Sequence, residues 1–199
     1  MLPSNIEFNP DFDQSDLDER EREVLRFLSS EQNGYFSFQG LRRRLGFHQE
    51  TLTRTLKRLE EAQAIERTTE GYKVKGHNSA YSFSVQTNQS STEPVIDAYL
   101  PAQIDVTILF QKLRGRWFSN FRWLGYSHDG VRLSMSWISE DGQMQLQARI
   151  SGGKITITAD SFTKLDESRQ ISAAYQLFDH ISKVAEEMVQ QVPQAPLAS

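Results

Sequence analysis

The sequence predicts an α+β protein in two parts. A helical unit closed by a β-hairpin comes first. An α-β-β-β-β-α domain follows, its four-stranded antiparallel meander covered by helices on one face. Three observations lead there. Apolar residues recur at helical spacing between residues 24 and 59, which places them on one side of each helix. Strict alternation replaces that spacing between 131 and 159, interrupted by Asp129-Gly130, Asp141-Gly142 and Gly152-Gly153, pairs that tolerate the positive φ of tight hairpins. A polar Ser/Thr-rich stretch with Pro94 lies between the two regimes and reads as a linker.

The elements follow in order. Residues 1–16 show no period and are expected to form an acidic flexible arm,. Asp18 stands three residues before Glu21, a capping-box arrangement, and Val24, Leu25 and Leu28 then share one helical face,. Gly34 is a plausible stop for that helix,. Tyr35 and Phe36 suit a short strand, and Ser37 suits the N-cap of a brief helix lined by Phe38, Leu41 and Leu45,. Gly46 and Phe47 turn the chain into a helix over about 48–62 that buries Leu52, Leu56 and Leu59. Ile65 opens a strand, Glu70-Gly71 turns it, and "YKVK" returns,. Beyond the linker, 104–117 reads as a helix. In the meander, Val131, Leu133, Met135 and Trp137 share a face with Met144, Leu146, Ala148, Ile150, Ile155, Ile157 and Ala159. A last helix, about 166–191, presents Ile171, Ala174, Phe178, Ile181, Ala185 and Met188. The expected division is arm 1–16, first domain 17–84, linker 85–96, second domain 97–192 and tail 193–199.

Composition narrows the function. No apolar run approaches the roughly 18 residues that a membrane span needs. The acidic start lacks the order of a secretory signal, and the chain has no cysteine. A cytoplasmic protein is expected. The four histidines have no metal spacing, and neither a Gly-rich phosphate loop nor a G-x-S-x-G or H-E-x-x-H motif occurs,. No cofactor and no enzymatic activity are therefore expected. The net charge is −4, yet its distribution is uneven. Residues 1–31 hold three basic and nine acidic side chains, whereas 40–75 hold nine basic and five acidic. A local concentration of this kind is an electrostatic footprint for polyanions.

Helix, strand, helix, helix and hairpin in that order is the winged helix-turn-helix layout. "LGFHQETLTRTLKRLEEAQAIER" resembles the recognition helix and wing of MarR-, IclR- and Lrp-type regulators. Leu45, Gly46, Thr51, Leu52, Thr53, Arg54, Leu56, Leu59, Glu60 and Ile65 fill the motif's places. The resemblance covers roughly residues 17–76. It implies an N-terminal winged helix-turn-helix that binds double-stranded DNA. His48 departs from the usual small hydroxyl N-cap, so either its imidazole caps the helix or the first turn is looser. His48, Gln49, Thr51, Thr53 and Arg54 are candidates for base edges or nearby phosphates, and Lys57 for a phosphate further along. Arg42, Arg43, Arg44 and the wing residues Arg67, Thr68, Lys73 and Lys75 are expected on the backbone or in the minor groove.

In the second half, "KLRGRWFSNFRW" (112–123) interleaves basic and aromatic residues. Such interleaving suits stacking on single strands or an anionic ligand. It equally suits a helix end whose aromatics enter the core. The sequence-level expectation is a chromosome-associated, homodimeric, sequence-specific transcription regulator. Its second domain would dimerise, sense a small molecule or recruit a protein effector. A winged-helix protein-protein adaptor and a sequence-indifferent chromosome-coating protein are the alternatives.

Overall fold

Capping chemistry sets where the helices begin. The computed structural model describes residues 17–31, 33–75, 93–163 and 167–190, with five helices and eight antiparallel strands among them. α1 (Glu19–Leu28) starts behind a reciprocal box: the Glu21 N–H donates to Asp18 at 2.8 Å and the Asp18 N–H donates to Glu21 at 2.9 Å. β1 (Gly34–Phe36) leads to α2 (Phe38–Leu45), whose Gly40 N–H donates to the Ser37 hydroxyl at 3.0 Å. Gly46, at φ 67°, stops α2 in the left-handed region,. α3 (Gln49–Glu61) follows, then the hairpin β2 (Ile65–Thr68) and β3 (Gly71–Val74). β4 (Ile96–Tyr99), α4 (Val106–Leu113), β5 (Phe121–His128), β6 (Arg132–Ser139), β7 (Met144–Ser151), β8 (Lys154–Ser161) and α5 (Glu167–Gln190) complete the order.

Three boundaries differ from the sequence reading. α1 ends at Leu28 with Ser29 as its cap, and Gly34, read as the stop of that helix, opens β1 instead. The helix expected to reach residue 117 ends at Leu113, where Arg114 takes ψ 128° and Gly115 takes φ 71°. A strand, β4, begins at the end of the expected linker. The arm, the linker up to residue 92, the end of the first domain beyond residue 75 and the tail lie outside the described residues.

The meander is not a separate four-stranded sheet. All eight strands form one sheet in the order β2-β3-β1-β5-β6-β7-β8-β4. The join is β1 to β5, with Tyr35 opposite Tyr126 and Phe36 opposite Gly125. A side chain at 125 would run into the Tyr35 carbonyl, so only glycine lets the strands meet at the Trp123/Gly125 bulge,. One cross-strand row consequently crosses the whole sheet. It runs Glu66, Lys73, Tyr35, Tyr126, Met135, Ala148, Ile157, Ile96, changing from charged to aromatic to aliphatic.

Helices cover both faces rather than one. α4 and α5 lie on the face that carries Leu133, Met135, Trp137, Leu146, Ala148, Ile155 and Ile157, all deeply buried. On the opposite face Leu124 and Ile138 join the core of α1–α3 with Leu41, Leu52, Leu56 and Leu59. With helices expected on one face only, this second face would be wet, yet its polar residues Gln147 and Thr158 are buried with Ser127, Ser134 and Ser136. Glu31 offers that face a carboxylate, taking hydrogen bonds from Gln147 Nε2 at 2.8 Å and Ser127 Oγ at 3.2 Å. Two residues read as core-facing also point outward. Val131 precedes β6 and is exposed, and Ile171 is exposed because the buried stripe of α5 runs through Ala174, Leu177, Ile181 and Ala185.

Candidate nucleic-acid interface

α3 is held from behind by three side chains with essentially no exposure: Leu52 at 0%, Leu56 at 1% and Leu59 at 0%. Their spacing leaves Gln49, Glu50, Thr53, Arg54, Lys57 and Arg58 in solvent. No described element covers that outer face, and the Arg54 side chain is 72% exposed. His48 occupies the N-cap with β-region dihedrals but makes no side-chain capping bond. The first turn of α3 therefore lacks that support.

The outer face is less basic than the sequence count suggests. α3 carries three basic and three acidic side chains. Arg54 pairs with Glu50 at 3.0 Å and Lys57 with Glu61 at 3.6 Å, both one helical turn apart. The Thr53 hydroxyl donates back to the Gln49 carbonyl at 2.8 Å, so it is turned toward its own helix. Thr51 is half-buried in a crevice between α1 and α3 that Asp18, Arg20 and Arg58 also line. Arg58 clamps the two helices, donating to Asp18 at 3.3 Å and to the buried Glu21 at 3.1 Å. The capping box was legible in the sequence. Its third member, forty residues away, was not.

The three arginines of α2 separate. Arg44 is half-buried, its guanidinium 3.7 Å from the centre of the Phe162 ring and 5.5 Å from that of Phe27. Burial holds its pKa below the usual arginine value. This position is set by packing, and it removes Arg44 from the exposed surface proposed for it. Arg43 donates to the Gln39 carbonyl at 3.3 Å. Partial burial, followed by the like charges of Arg42 and Arg122, lowers its pKa.

The hairpin does not project as a free wing. Glu70 at its tip pairs with Arg114 at 2.5 Å and accepts a hydrogen bond from the Tyr126 hydroxyl at 3.0 Å. Burial first, and that bond second, push the Tyr126 phenol up beyond its ordinary range. Tyr126 stacks on Tyr35 with ring centres 5.1 Å apart, and Lys73 lies 5.1 Å over the Tyr35 ring. Lys73 also pairs with Glu66 at 2.7 Å, which with Tyr35 raises its pKa. Lys75 donates to Gln63, and the Thr68 hydroxyl donates to the Gly71 carbonyl inside the turn. Of the four hairpin candidates, Arg67 and Lys75 are exposed and without an ion pair among the described residues, and Lys75 is held by Gln63.

The basic-aromatic stretch splits in two. Phe118, Phe121 and Trp123 enter the core, whereas Trp117 stays 64% exposed with the Arg122 guanidinium 4.6 Å from its ring centre. No three His, Asp or Glu side chains among the described residues are grouped to hold a metal ion. No helix among them is long and apolar enough to cross a membrane. Comparison of the chain with protein-family models, with curated proteins and with solved structures found no match.

Proposed function

We propose that this chain is a sequence-specific double-stranded-DNA-binding regulator, in which residues 17–75 act as a winged helix-turn-helix and α3 is the recognition helix. The observation that carries the reading is the outer face of α3. It presents an amide and a guanidinium (Gln49, Arg54), with the exposed Thr53 side chain between them, on a helix that the leucines behind it hold in place and nothing described covers. Those groups match the donor and acceptor pattern of major-groove edges. The Glu50–Arg54 and Lys57–Glu61 pairs are no obstacle. Exposed pairs one turn apart contribute about 0.3–0.5 kcal/mol, little beside a bidentate base contact of about 1–3 kcal/mol. The protein is a homodimer in this reading, chromosome-associated and cytoplasmic, because operators of such regulators mirror a protein two-fold axis. The second half dimerises or receives a small-molecule or protein effector.

Competition titration on duplex DNA tests the proposal. A regulator retains a preferred site against excess random duplex. Arg54→Ala is expected to cost about 1–3 kcal/mol of site affinity and to relax base preference. Equal binding to all duplexes would identify a coating protein. The balanced charge of α3 favours one second reading, a protein-protein adaptor that uses the same helix face. Absence of duplex binding at any salt concentration would establish that reading over the first.

A further inference from the structure

The sheet gathers arginines that are far apart in sequence. Phe36 pairs with Tyr72 on one side and Gly125 on the other, and Phe121 pairs with Ser139. These registers place the β2–β3 turn, the α4–β5 segment and the β6–β7 turn at the same end of the sheet. The Arg114–Glu70 pair ties the first two together. The Arg122–Glu140 pair ties the second to the third. α2 closes the row, since a Cβ built on Gly142 would stand 2.5 Å from the Arg43 carbonyl.

Along this rim lie Arg67, Arg114, Arg116, Arg122, Arg43 and its neighbour Arg42. The acids beside them are already engaged: Glu70 by Arg114, Glu140 by Arg122, and Asp141 by the Ser139 hydroxyl and the Gln143 N–H. Arg42, Arg43, Arg67 and Arg116 form no ion pair among the described residues. From β2 to β6 the rim spans four strand spacings, about 19 Å. That matches about six base pairs of duplex axis.

Trp117 stands in the middle, and its exposure has a structural cause. The Arg116 carbonyl accepts Trp137 Nε1–H at 3.0 Å, and Phe118 stacks inward on His180 with ring centres 5.3 Å apart. Residue 117 between them must face out. The Arg122 guanidinium then lies over one face of the exposed indole.

We propose that this rim is a phosphate track that takes the sugar-phosphate backbone of duplex DNA flanking the site read by α3. Arg42, Arg43, Arg67 and Arg116 supply charge, and the Trp117 indole packs against deoxyribose. This inference rests on the DNA-binding reading above. It adds to that reading a contact made by the second half of the chain, which the recognition-helix motif does not contain. Unpaired arginines on a fixed scaffold suit a polyphosphate because each contact releases condensed counterions.

The experiment is a salt titration of site affinity for the full chain, on a duplex covering only the central site and on one with about ten added base pairs per side. Arg42→Gln and Arg116→Gln should each reduce the slope of log affinity against log salt by about 1 on the long duplex. Neither should change it on the short one. Arg116→Lys should restore the slope. Trp117→Ala should weaken the long duplex at every salt concentration and leave the slope unchanged. Unaltered slopes in both glutamine variants, beside a weakened Arg54→Ala, would overturn the track and leave the recognition helix standing. Failure of the unmodified protein to bind either duplex would overturn both. Loss confined to single strands in Trp117→Ala would overturn the duplex track in favour of a single-strand site.

Discussion

Gly40→Ala offers the sharpest test of how the two halves are joined. In an ordinary helix interior this change stabilises by about 1 kcal/mol, because glycine loses the more backbone entropy. Here a Cβ at residue 40 would stand 2.7 Å from Leu124 Cα and 2.8 Å from the Leu124 carbonyl oxygen. Both are backbone atoms of β5 and cannot turn aside. Ordinary contact would require α2 to lift by about 1 Å. That displacement strains the 2.8 Å bond from the Ser37 N–H to the Leu124 carbonyl and the 3.1 Å bond from the Ser37 hydroxyl to the Trp123 carbonyl. It also loosens Leu41 and Leu124, both at 0% exposure. Overpacking of this kind costs about 1–3 kcal/mol, enough to cancel and reverse the helix gain. At about 2–4 °C per kcal/mol for a chain of this size, a melting point lower by several degrees is expected, with a matching fall in urea midpoint. Gly46→Ala is the control, with positive φ but nothing within 4 Å of the new carbon, so it carries strain without collision. A Gly40→Ala protein as stable as the parent would refute the close seat of α2 on β5.

Other consequences follow from the same structure. Leu56→Ala should destabilise by about 2–5 kcal/mol, the range for deleting a buried leucine, and a calorimetric loss below 1 kcal/mol would contradict the packing behind α3. Glu31→Ala strips a carboxylate from Ser127 and Gln147 and should cost about 1–3 kcal/mol, read as a shifted denaturant midpoint. His180 is held below its ordinary pKa of 6.5 chiefly by burial, and its Nε2 has no hydrogen-bond partner among the described residues. The unfolded chain therefore takes up that proton first. The stability tied to His180 is intact above the ordinary value, falls as pH drops through 6.5 and levels off below the depressed folded value,. His180→Phe should flatten this component of the melting profile, and an unchanged profile would show that the ring is not buried as described. Glu70→Gln breaks the tie to Arg114, so hydrogen exchange in the β2–β3 turn should accelerate, while equal protection in both proteins would place the anchor elsewhere.

Local chemistry made much of the first half legible. The Asp18–Glu21 box, the Ser37 cap, Gly46 and the leucines at 52, 56 and 59 act within a few residues, so chain order suffices to read them. The same holds for the three turn pairs and the alternating strands between them. The polar face of the meander was misread because period two reports only that two faces differ. It does not say what lands on the second face. Ser134, Ser136 and Thr158 look solvated in isolation, and α1–α3 are brought onto that side of the sheet by a glycine at 125.

The same distinction governs the candidate interface. The sequence by itself determined which residues α3 turns away from its core, since three leucines four and three residues apart leave Arg54 and Gln49 nowhere to go but outward. Only the tertiary structure decided which basic residues keep their charge available. It withdrew Arg44 into an aromatic seat, tied Lys73 to Glu66, and pinned the hairpin tip through Glu70. It also set Arg43, Arg67, Arg116 and Trp117 along one edge. The physical reason is that ion pairing and burial depend on distances between elements, and in this chain those distances are fixed by the β1–β5 junction, which no local pattern announces.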